Sequence, residues 1–430
     1  MPALATLRSA AEVTLASQFE ALGADAKASR RAAFERFAGK GLPTRRVESW
    51  HYTDLRAALT EAAPLAPPPD SAAIARARAL LADVPKAVGA RLVTLDGRFL
   101  PELSDAPPAG VATTTRGERA LSAGDAMAAL VEAMAPDSLT IDVAAGTDAG
   151  AIEIVHVVAG DSGVARSVYS WIEIAVGPGG RAAVVETFLG ASPLVQRHAA
   201  TVLRLARAAT LRHAAVVDDA AGLHLESQIV ELEAEADLNA FGLVSGGALV
   251  RRQIFARLAG VEARIALGGL SLLERERRAD TTLEVVHAAP RGFSREVYRA
   301  IVADEAVGVF QGKVVVAPGA QKTDGSMKSQ AVLLSPHAQM NAKPELEIFA
   351  DDVVCGHGAT VASIDPEQVF YLQARGIPKR EAEAMLLEAF GAEAIARVGD
   401  EALAERLRGR LAAWLVGMGP GGTAGKETNS

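Results

Sequence analysis

The sequence predicts a mainly β protein in which a strand-rich centre lies between two helical regions. From about residue 146 to 370, short apolar runs of β type follow one another, such as 151–158, 181–188 and 229–234. Gly, Asp and Asn separate these runs, which recur about every 8–12 residues and are therefore typical of a sandwich or a barrel. A β-helix is a third possibility, because its coils stack strand on strand and its internal repeats can be degenerate.

The N-terminal region, residues 1–145, is predicted to be helical or mixed. Apolar side chains recur near the helical period within 11–22 and within 28–37, which predicts two helices. A Pro-rich segment at 64–69 is typical of a linker. A third helix is expected at 70–81, with Asp70 or Ser71 as its N-cap.

The C-terminal region, residues 371–418, is predicted to be helical, and residues 419–430 are predicted to be a disordered tail. Pro378 suits the first helical position, because a helix leaves the N–H unpaired there. Gly391 is expected to end this helix. Apolar side chains form two stripes with helical spacing, the first made of Ala382, Met385, Leu386, Ala389 and Phe390 and the second of Leu403, Leu407, Leu411, Trp414 and Leu415.

Composition excludes several classes of function. The chain has 430 residues, a net charge of −8 and one cysteine, Cys355. An acidic chain is a poor general binder of nucleic acid, since phosphate contacts need clustered Lys and Arg. Arg8 and Glu12 interrupt the first apolar stretch, so no signal peptide is expected, and no apolar run reaches the ~18 residues of a membrane span. Because a single cysteine cannot form an intrachain disulfide, these features together predict a cytoplasmic protein.

The sequence lacks the motifs of several enzyme classes. A phosphate-binding loop needs Gly-x-x-x-x-Gly-Lys followed by Ser or Thr, and the segments 308–313 and 421–426 have the wrong spacing. No Gly-x-Gly-x-x-Gly follows a predicted strand, and there is neither His-Glu-x-x-His nor a nucleophile elbow. We therefore expect no ATP site and no independent catalytic activity.

Cys355 and His357 are the most chemically suggestive pair, within a β-like segment at 345–361. Alternate residues of a strand share a face, so the two side chains would project side by side, while Gly356 and Gly358 would leave the other face bare. Thiolate and imidazole both bind iron, but two ligands are fewer than the four that typically hold a cluster. Either a partner chain supplies the rest, or both residues only pack. The remaining histidines show no ligand spacing and are interpreted as structural: His51, His156, His198, His213, His224, His287 and His337.

The segment from Phe310 to Phe390 resembles the SufB/SufD family. The matching motifs lie at 310–314, 344–348, 350–353, 355–361, 370–372 and 375–377. Near the N-terminus, residues 46–53 resemble the short "E-x-W-x-Y-T" element of that family. The SufB paralogue carries Glu-His-Glu-Ala where this chain has 355–359, together with a core cysteine that this chain lacks. The resemblance is therefore to the SufD branch.

The resemblance implies a right-handed parallel β-helix at 146–370, flanked by helical regions. It also implies a complex with a SufB-like paralogue and a SufC-like ABC ATPase, which would bind ATP in place of this chain. In that complex His357 would contribute to a transient iron or iron–sulfur cluster site shared with SufB, and our own hypothesis adds Cys355 as a second ligand. Iron entry is linked to the SufD branch, and SufC is implied to dock on the C-terminal helices.

Three functional hypotheses follow. The first is a non-catalytic scaffold whose strand from Val353 to Val361 pairs with the SufB-like partner. In this hypothesis Met385, Leu386 and Phe390 either pack on the β-helix or dock the ATPase. The second is a purely structural partner in which the Cys and His only pack. The third is a β-helix enzyme acting on polysaccharide, against which the missing signal peptide and the few aromatic residues count.

Overall fold

The computed structural model of the chain describes residues 9–417, apart from residues 85, 87, 88, 116–120, 122, 161 and 162. The tail predicted at 419–430 lies outside the described residues. No helix in the described part of the chain is both long enough and apolar enough to cross a membrane.

A parallel β-solenoid of about eight turns forms the centre of the molecule, which confirms the β-helix among the three architectures that the strand pattern allowed. Each turn contributes one strand to a nine-stranded sheet and the next strand to a ten-stranded sheet. The solenoid strands are β4 Leu139–Val143, β5 Asp148–Val157, β6 Arg166–Val176, β7 Arg181–Leu189, β8 Val195–Leu205, β9 Thr210–Val217, β10 Leu223–Leu232, β11 Asp237–Val244, β12 Leu249–Leu258, β13 Arg264–Leu273, β14 Arg278–His287, β15 Phe293–Val302, β16 Val307–Val316, β17 Asp324–Leu333, β18 Gln339–Ile348 and β19 Val354–Ala362.

The solenoid begins and ends earlier than the expected range of 146–370. Its first strand, β4, starts at Leu139, and its last strand, β19, ends at Ala362, so a helix already occupies part of the expected strand region. Strand β4 has only five residues, which is too few for a period of two to stand out in the sequence.

Alternating side chains from both sheets fill the interior between them. Inward-facing residues such as Ile152, Val184 and Leu211 belong to one apolar cluster that extends along most of the solenoid. Because parallel strands are covered on both faces, many outward-facing residues are buried too, where helices pack on the sheets. This explains why the strands appear in the sequence as near-continuous apolar runs.

The corners of successive coils repeat one backbone conformation. Ala208, Glu235, Glu262, Arg291 and Lys322 all have positive φ values, between 55° and 63°. Their amides donate in turn to a carbonyl of the next coil, and the series ends where the Lys322 amide donates to the Asp352 carbonyl oxygen. A left-handed conformation costs a non-glycine residue about 1–2 kcal/mol, so coil stacking has to stabilise these corners.

The N-terminal region covers the first coil of the solenoid. Helices near the predicted 11–22, 28–37 and 70–81 are present with shifted bounds, and two antiparallel strand pairings, β1 with β2 and β3 with β4, close this end of the two sheets. The elements are α1 Ala10–Glu20, α2 Ala24–Lys40, α3 Leu55–Ala58, α4 Ser71–Ala82, β1 Ala90–Leu95, β2 Arg98–Phe99, β3 Val111–Thr114 and α5 Ala126–Met134. Asp70, one of the two expected N-caps, accepts a hydrogen bond from the Ala73 amide.

The segment at 46–53 fastens the N-terminal region to the nine-stranded sheet. Trp50 is fully buried, its indole Nε1 donates to Asp125 Oδ2 at 2.7 Å, and the Arg251 guanidinium carbon lies 3.8 Å from its ring centroid. Arg251 also donates to the Ser49 carbonyl oxygen at 2.5 Å. Gln311, on a strand near the far end, donates to the Glu48 carbonyl oxygen at 3.1 Å. The short motif is therefore a structural clasp across several coils.

We expect Trp50→Ala to lower the free energy of unfolding by about 3–5 kcal/mol, because it removes a fully buried indole and leaves a cavity. The variant also leaves the Asp125 carboxylate and the Arg251 guanidinium without their aromatic partner. Urea unfolding of the wild type and the variant measures the loss. Trp50→Phe is the matched control and should cost less, since most of the ring contact survives. Equal urea midpoints for wild type and Trp50→Ala would contradict the clasp.

Three helices follow the solenoid: α6 Pro366–Gln373, α7 Lys379–Ile395 and α8 Glu401–Gly417. Pro378 is the N-cap of α7 rather than its first helical residue. The expectation that Gly391 ends this helix is wrong, because α7 continues to Ile395. A side chain at Gly391 would lie 2.6 Å from Leu411 Cδ2, so this glycine lets α8 approach α7 closely.

Candidate functional site

The two ends of the solenoid differ in how they are covered. The first coil is closed by β1, β2 and β3, whereas β18 and β19 are the outermost strands of their sheets at the other end. In the described part of the chain no further strand pairs with either of them. The side chains of β19 are almost all exposed. The last coil therefore presents unpaired backbone N–H and C=O groups on two parallel edges, a surface suited to pairing with another chain. We call β18 and β19 together the open end.

Cys355 and His357 both lie on the inner face of β19. Register pairs Cys355 with Gly325 and His357 with Met327, and Met327 is buried in the interior cluster. Cys355 is half-buried and packs at the edge of that cluster, while His357 is exposed. A side chain at Gly356 or Gly358 would meet nothing within 4 Å, so the opposite face of the strand is bare. The structure thus places the thiol and the imidazole side by side, as the alternation predicted.

Burial raises the pKa of the Cys355 thiol above its ordinary value. The Gly325 amide opposes this shift, and the negative charges of Asp324 and Glu296 add to it. A bound cation would act in the reverse direction, because it stabilises the thiolate.

The described residues do not complete a metal site at the open end. No group of three or more His, Cys, Asp or Glu side chains in the described ranges is arranged to hold a metal ion. Two donors with open space in front of them can hold a metal only if other ligands arrive. The chemistry of the pair therefore fits a shared site rather than a closed one.

Apolar side chains surround the open end. Phe349 is 61% exposed and Val354 72% exposed, and Ile348 and Val361 are also largely exposed. Val353, the other end of the predicted pairing segment, is half-buried against the interior cluster and precedes β19. An exposed apolar rim next to unpaired strand edges is typical of a protein interface.

The residues predicted as a stripe on α7 separate into two groups. Phe390 packs on the solenoid, where the Arg299 guanidinium carbon lies 4.6 Å from its ring centroid and Arg299 donates to its carbonyl oxygen at 2.5 Å. Met385 is 44% exposed, and Leu386 is half-buried. The residues of α7 that are buried are instead Ala382, Leu387, Gly391, Ala394 and Ile395.

A groove runs between α7 and α8 on the side away from the sheets. It combines small and apolar side chains with charges at its margin, and Val416 at one end is 78% exposed. The residues that line it are Pro378, Arg380, Glu381, Ala384, Glu388, Ala412, Leu415 and Val416.

The interior of the solenoid contains polar groups that sequence reasoning missed. Glu186 Oε2 lies 2.8 Å from His156 Nε2, and Glu186 Oε1 lies 2.7 Å from His213 Nε2. Burial alone raises the pKa of the Glu186 carboxyl, but the hydrogen bonds from both imidazoles lower it to about 2. Glu226 and Arg252 form a second buried pair, with two hydrogen bonds of 2.9 and 3.0 Å. These residues lie far apart in sequence, so no spacing could have identified them.

Two family models match the chain. The model described as "SUF system FeS cluster assembly, SufBD core domain" covers residues 157–390, which is more than half of the chain. The chain belongs to the SufB/SufD family of SUF-system iron–sulfur cluster assembly proteins. A second model, for the N-terminal region of SufBD proteins, matches residues 19–135. The two models together span both the clasp segment and the open end.

Several curated relatives agree with this assignment. The chain is 30% identical over 412 residues to the iron–sulfur cluster assembly protein SufD of Escherichia coli, covering 93% of this chain and 95% of that protein. It is 31% identical over 242 residues to protein ABCI7, chloroplastic, of Arabidopsis thaliana, covering 55% and 51%. It is 32% identical over 132 residues to SufD of Bacillus subtilis, covering 31% and 30%. The SufB/SufD resemblance drawn from the motifs is thereby confirmed.

Proposed function

We propose that this chain is a scaffold subunit that pairs with a SufB-like paralogue through its open end. In this proposal His357 and Cys355 hold iron or a nascent iron–sulfur cluster together with ligands of that partner. A SufC-like ATPase docks on the C-terminal helices and supplies the ATP hydrolysis that this chain lacks the motifs to perform. The complex of these three proteins is located in the cytoplasm.

One observation carries the proposal: the two soft ligands lie on the edge strand of an uncovered coil. A strand added to β19 would continue the ladder and would bring its own side chains next to His357, two residues from Cys355 on the same face. Neutral imidazole and thiolate are both good ligands for iron. The missing ligands can therefore arrive with the partner strand, which makes cluster formation depend on pairing.

The proposal is tested by anaerobic reconstitution with iron and sulfide, using this chain alone, the SufB-like partner alone and the two together. We expect a stable cluster, measured as iron and labile sulfide per complex, only in the mixture. Equal cluster content in the partner alone and in the mixture would show that this chain contributes nothing to cluster formation. Co-purification from the source cell identifies the partners directly.

The C-terminal helices offer the surface proposed for the ATPase. The groove between α7 and α8 has an exposed apolar side chain at one end, Val416, and Met385 is exposed on the neighbouring surface of α7. Phe390 is less available for docking, because its ring contacts the Arg299 guanidinium on the solenoid. Of the three residues predicted to serve either packing or docking, Met385 is thus the one most available to a partner.

We expect Met385→Glu and Val416→Glu to weaken ATPase binding at least tenfold, about 1.4 kcal/mol, because each places a charge in an apolar contact. The dissociation constant is measured by calorimetry with the purified ATPase. Val261→Glu is the matched control, since Val261 is similarly exposed, at 41%, but lies at a corner of the solenoid. If the two helix variants bind as tightly as the control, the docking surface lies elsewhere.

A further inference from the structure

The interior of the solenoid beneath the open end contains an unusual set of polar groups without partners. His287 is fully buried, and neither of its ring nitrogens has a hydrogen-bond partner. Glu296 is fully buried, and neither carboxylate oxygen has one. The hydroxyl of Ser294 lies close to that carboxyl group, but outside hydrogen-bonding geometry. Buried polar groups are nearly always paired in proteins, so such a set needs an explanation.

The side chains of Ser294, Cys355 and His287 converge on one point inside the last coils. A side chain placed at Gly325 would lie 3.3 Å from Ser294 Oγ, 3.7 Å from Cys355 Sγ and 3.8 Å from His287 Nε2. The three atoms come from β15, β19 and the end of β14, so stacking of the coils brings them together. Glu296 lies two residues after Ser294 on the same inner face, in the same column as Met327 and His357. Because Gly325 has no side chain, a space is left between Ser294, Cys355 and His287.

We propose that His287, Glu296 and Cys355 form an inner site for a divalent transition-metal ion at the space beside Gly325. The choice of iron(II) as the bound metal rests on the proposed scaffold function. The proposal that a metal binds here does not depend on that function. Ser294 lies beside the ion as an additional oxygen donor.

Charge and ligand type both suit this occupant. A thiolate and a carboxylate together balance the two positive charges of the ion, and the set of sulfur, nitrogen and oxygen donors suits iron, cobalt or zinc. Cys355 Sγ and His287 Nε2 both lie beside the space at Gly325, so a sulfur donor and a nitrogen donor already face it.

The inner site must close around its ion. Across the described ranges no three such side chains already stand in a coordinating arrangement. Ligand distances of about 2.0–2.3 Å require side-chain rotation toward the space at Gly325. The alternative is that His287, Glu296 and Cys355 are only hydrated inside the solenoid and do not bind a metal ion.

The test uses the full-length chain alone, purified under anaerobic conditions and titrated with Co²⁺ as a spectroscopic probe. We expect one equivalent to bind with a thiolate-to-cobalt charge-transfer band that Cys355→Ser abolishes. Glu296→Gln and His287→Gln should each weaken binding at least tenfold, with melting temperatures that show an intact fold. His337→Ala is the matched control and should still bind one equivalent, because the exposed His337 lies in the loop before β18 and outside the inner set.

Two results would overturn the inner site: a folded wild-type chain that binds no Co²⁺, or glutamine variants that bind it as tightly as the wild type. This failure is distinguishable from failure of the proposed function. If only the inner site is wrong, the Glu296→Gln and His287→Gln variants, which keep Cys355 and His357, leave cluster content in the complex with the SufB-like partner unchanged. Failure of the scaffold function leaves that complex without cluster while the isolated chain still binds Co²⁺.

Discussion

Replacing His357 by Ala is expected to reduce the iron and labile sulfide content of the assembled complex about tenfold or more, while the subunit ratio and melting temperature stay unchanged. The imidazole is exposed at the open end and packs little, so its loss should not destabilise the chain. In the proposed shared site, the substitution removes the nitrogen donor and leaves Cys355 as the other candidate donor of this chain. The measurement is iron and sulfide analysis of the purified complex.

The Cys355 thiol should matter less to the cluster than His357. It is half-buried against the interior cluster, and burial raises its pKa, so the thiolate is less available without a metal. We expect Cys355→Ser to lower cluster content by a smaller factor than His357→Ala. Its fully exposed neighbours in the strand cannot substitute, since Gly356 and Gly358 carry no side chain.

His337→Ala is the matched control for this experiment. His337 is also exposed and lies in the loop before β18, near the same end of the solenoid but off the edge strand. It should leave cluster content at the wild-type level. Wild-type cluster content in an intact His357→Ala complex would show that the imidazole is not a ligand. It would favour the interpretation in which Cys355 and His357 only pack.

The second large effect is expected from proline on the free edge of β19. The Val354 amide donates to the Thr323 carbonyl oxygen of the preceding coil at 2.9 Å. Because successive amides of a strand point to opposite sides, the amides of Cys355, His357, Ala359 and Val361 face away from that coil. Proline at position 359 therefore removes an outward donor without breaking the internal ladder, a place where an edge strand tolerates proline.

We expect Ala359→Pro to raise the dissociation constant of the pairing with the SufB-like partner at least tenfold, about 1.4 kcal/mol. The lost N–H and the bulk of the ring both oppose an added strand. Size-exclusion chromatography and calorimetry of the mixed chains measure the effect. Ala359→Ser keeps the amide and should bind normally. A heterodimer as stable with proline as with serine would place the contact away from this edge.

Residues near one another in the sequence determined much of this protein by themselves. The helices at both ends follow from the spacing of apolar residues, and the strand-rich centre follows from short runs separated by turn residues. The pairing of Cys355 with His357 on one face needs only the alternation of a strand. The resemblance to the SufB/SufD family was likewise drawn from local motifs, at 46–53 and between 310 and 390.

The strand pattern by itself left three β architectures open. The family resemblance implied the β-helix, and the tertiary structure confirms it. The coils repeat a left-handed corner, but Gly occupies it only at positions 146 and 179, and Ala, Glu, Arg and Lys occupy the later corners, so the repeat is hard to see in the sequence. Contacts between neighbouring coils stabilise that conformation. The residues in contact are far apart in the sequence, so local sequence patterns do not reveal them. The same reason explains Gly391, whose lack of a side chain accommodates Leu411 of another helix rather than ending its own.

The contacts between polar side chains inside the solenoid could not be predicted from the sequence either. His156, Glu186 and His213 meet only because three successive coils place them next to one another, and His287 approaches Cys355 only through the fold around Gly325. Local periodicity specifies which face of a strand a side chain occupies. It cannot specify which residue of the next coil lies above it, because register depends on the length of every intervening turn.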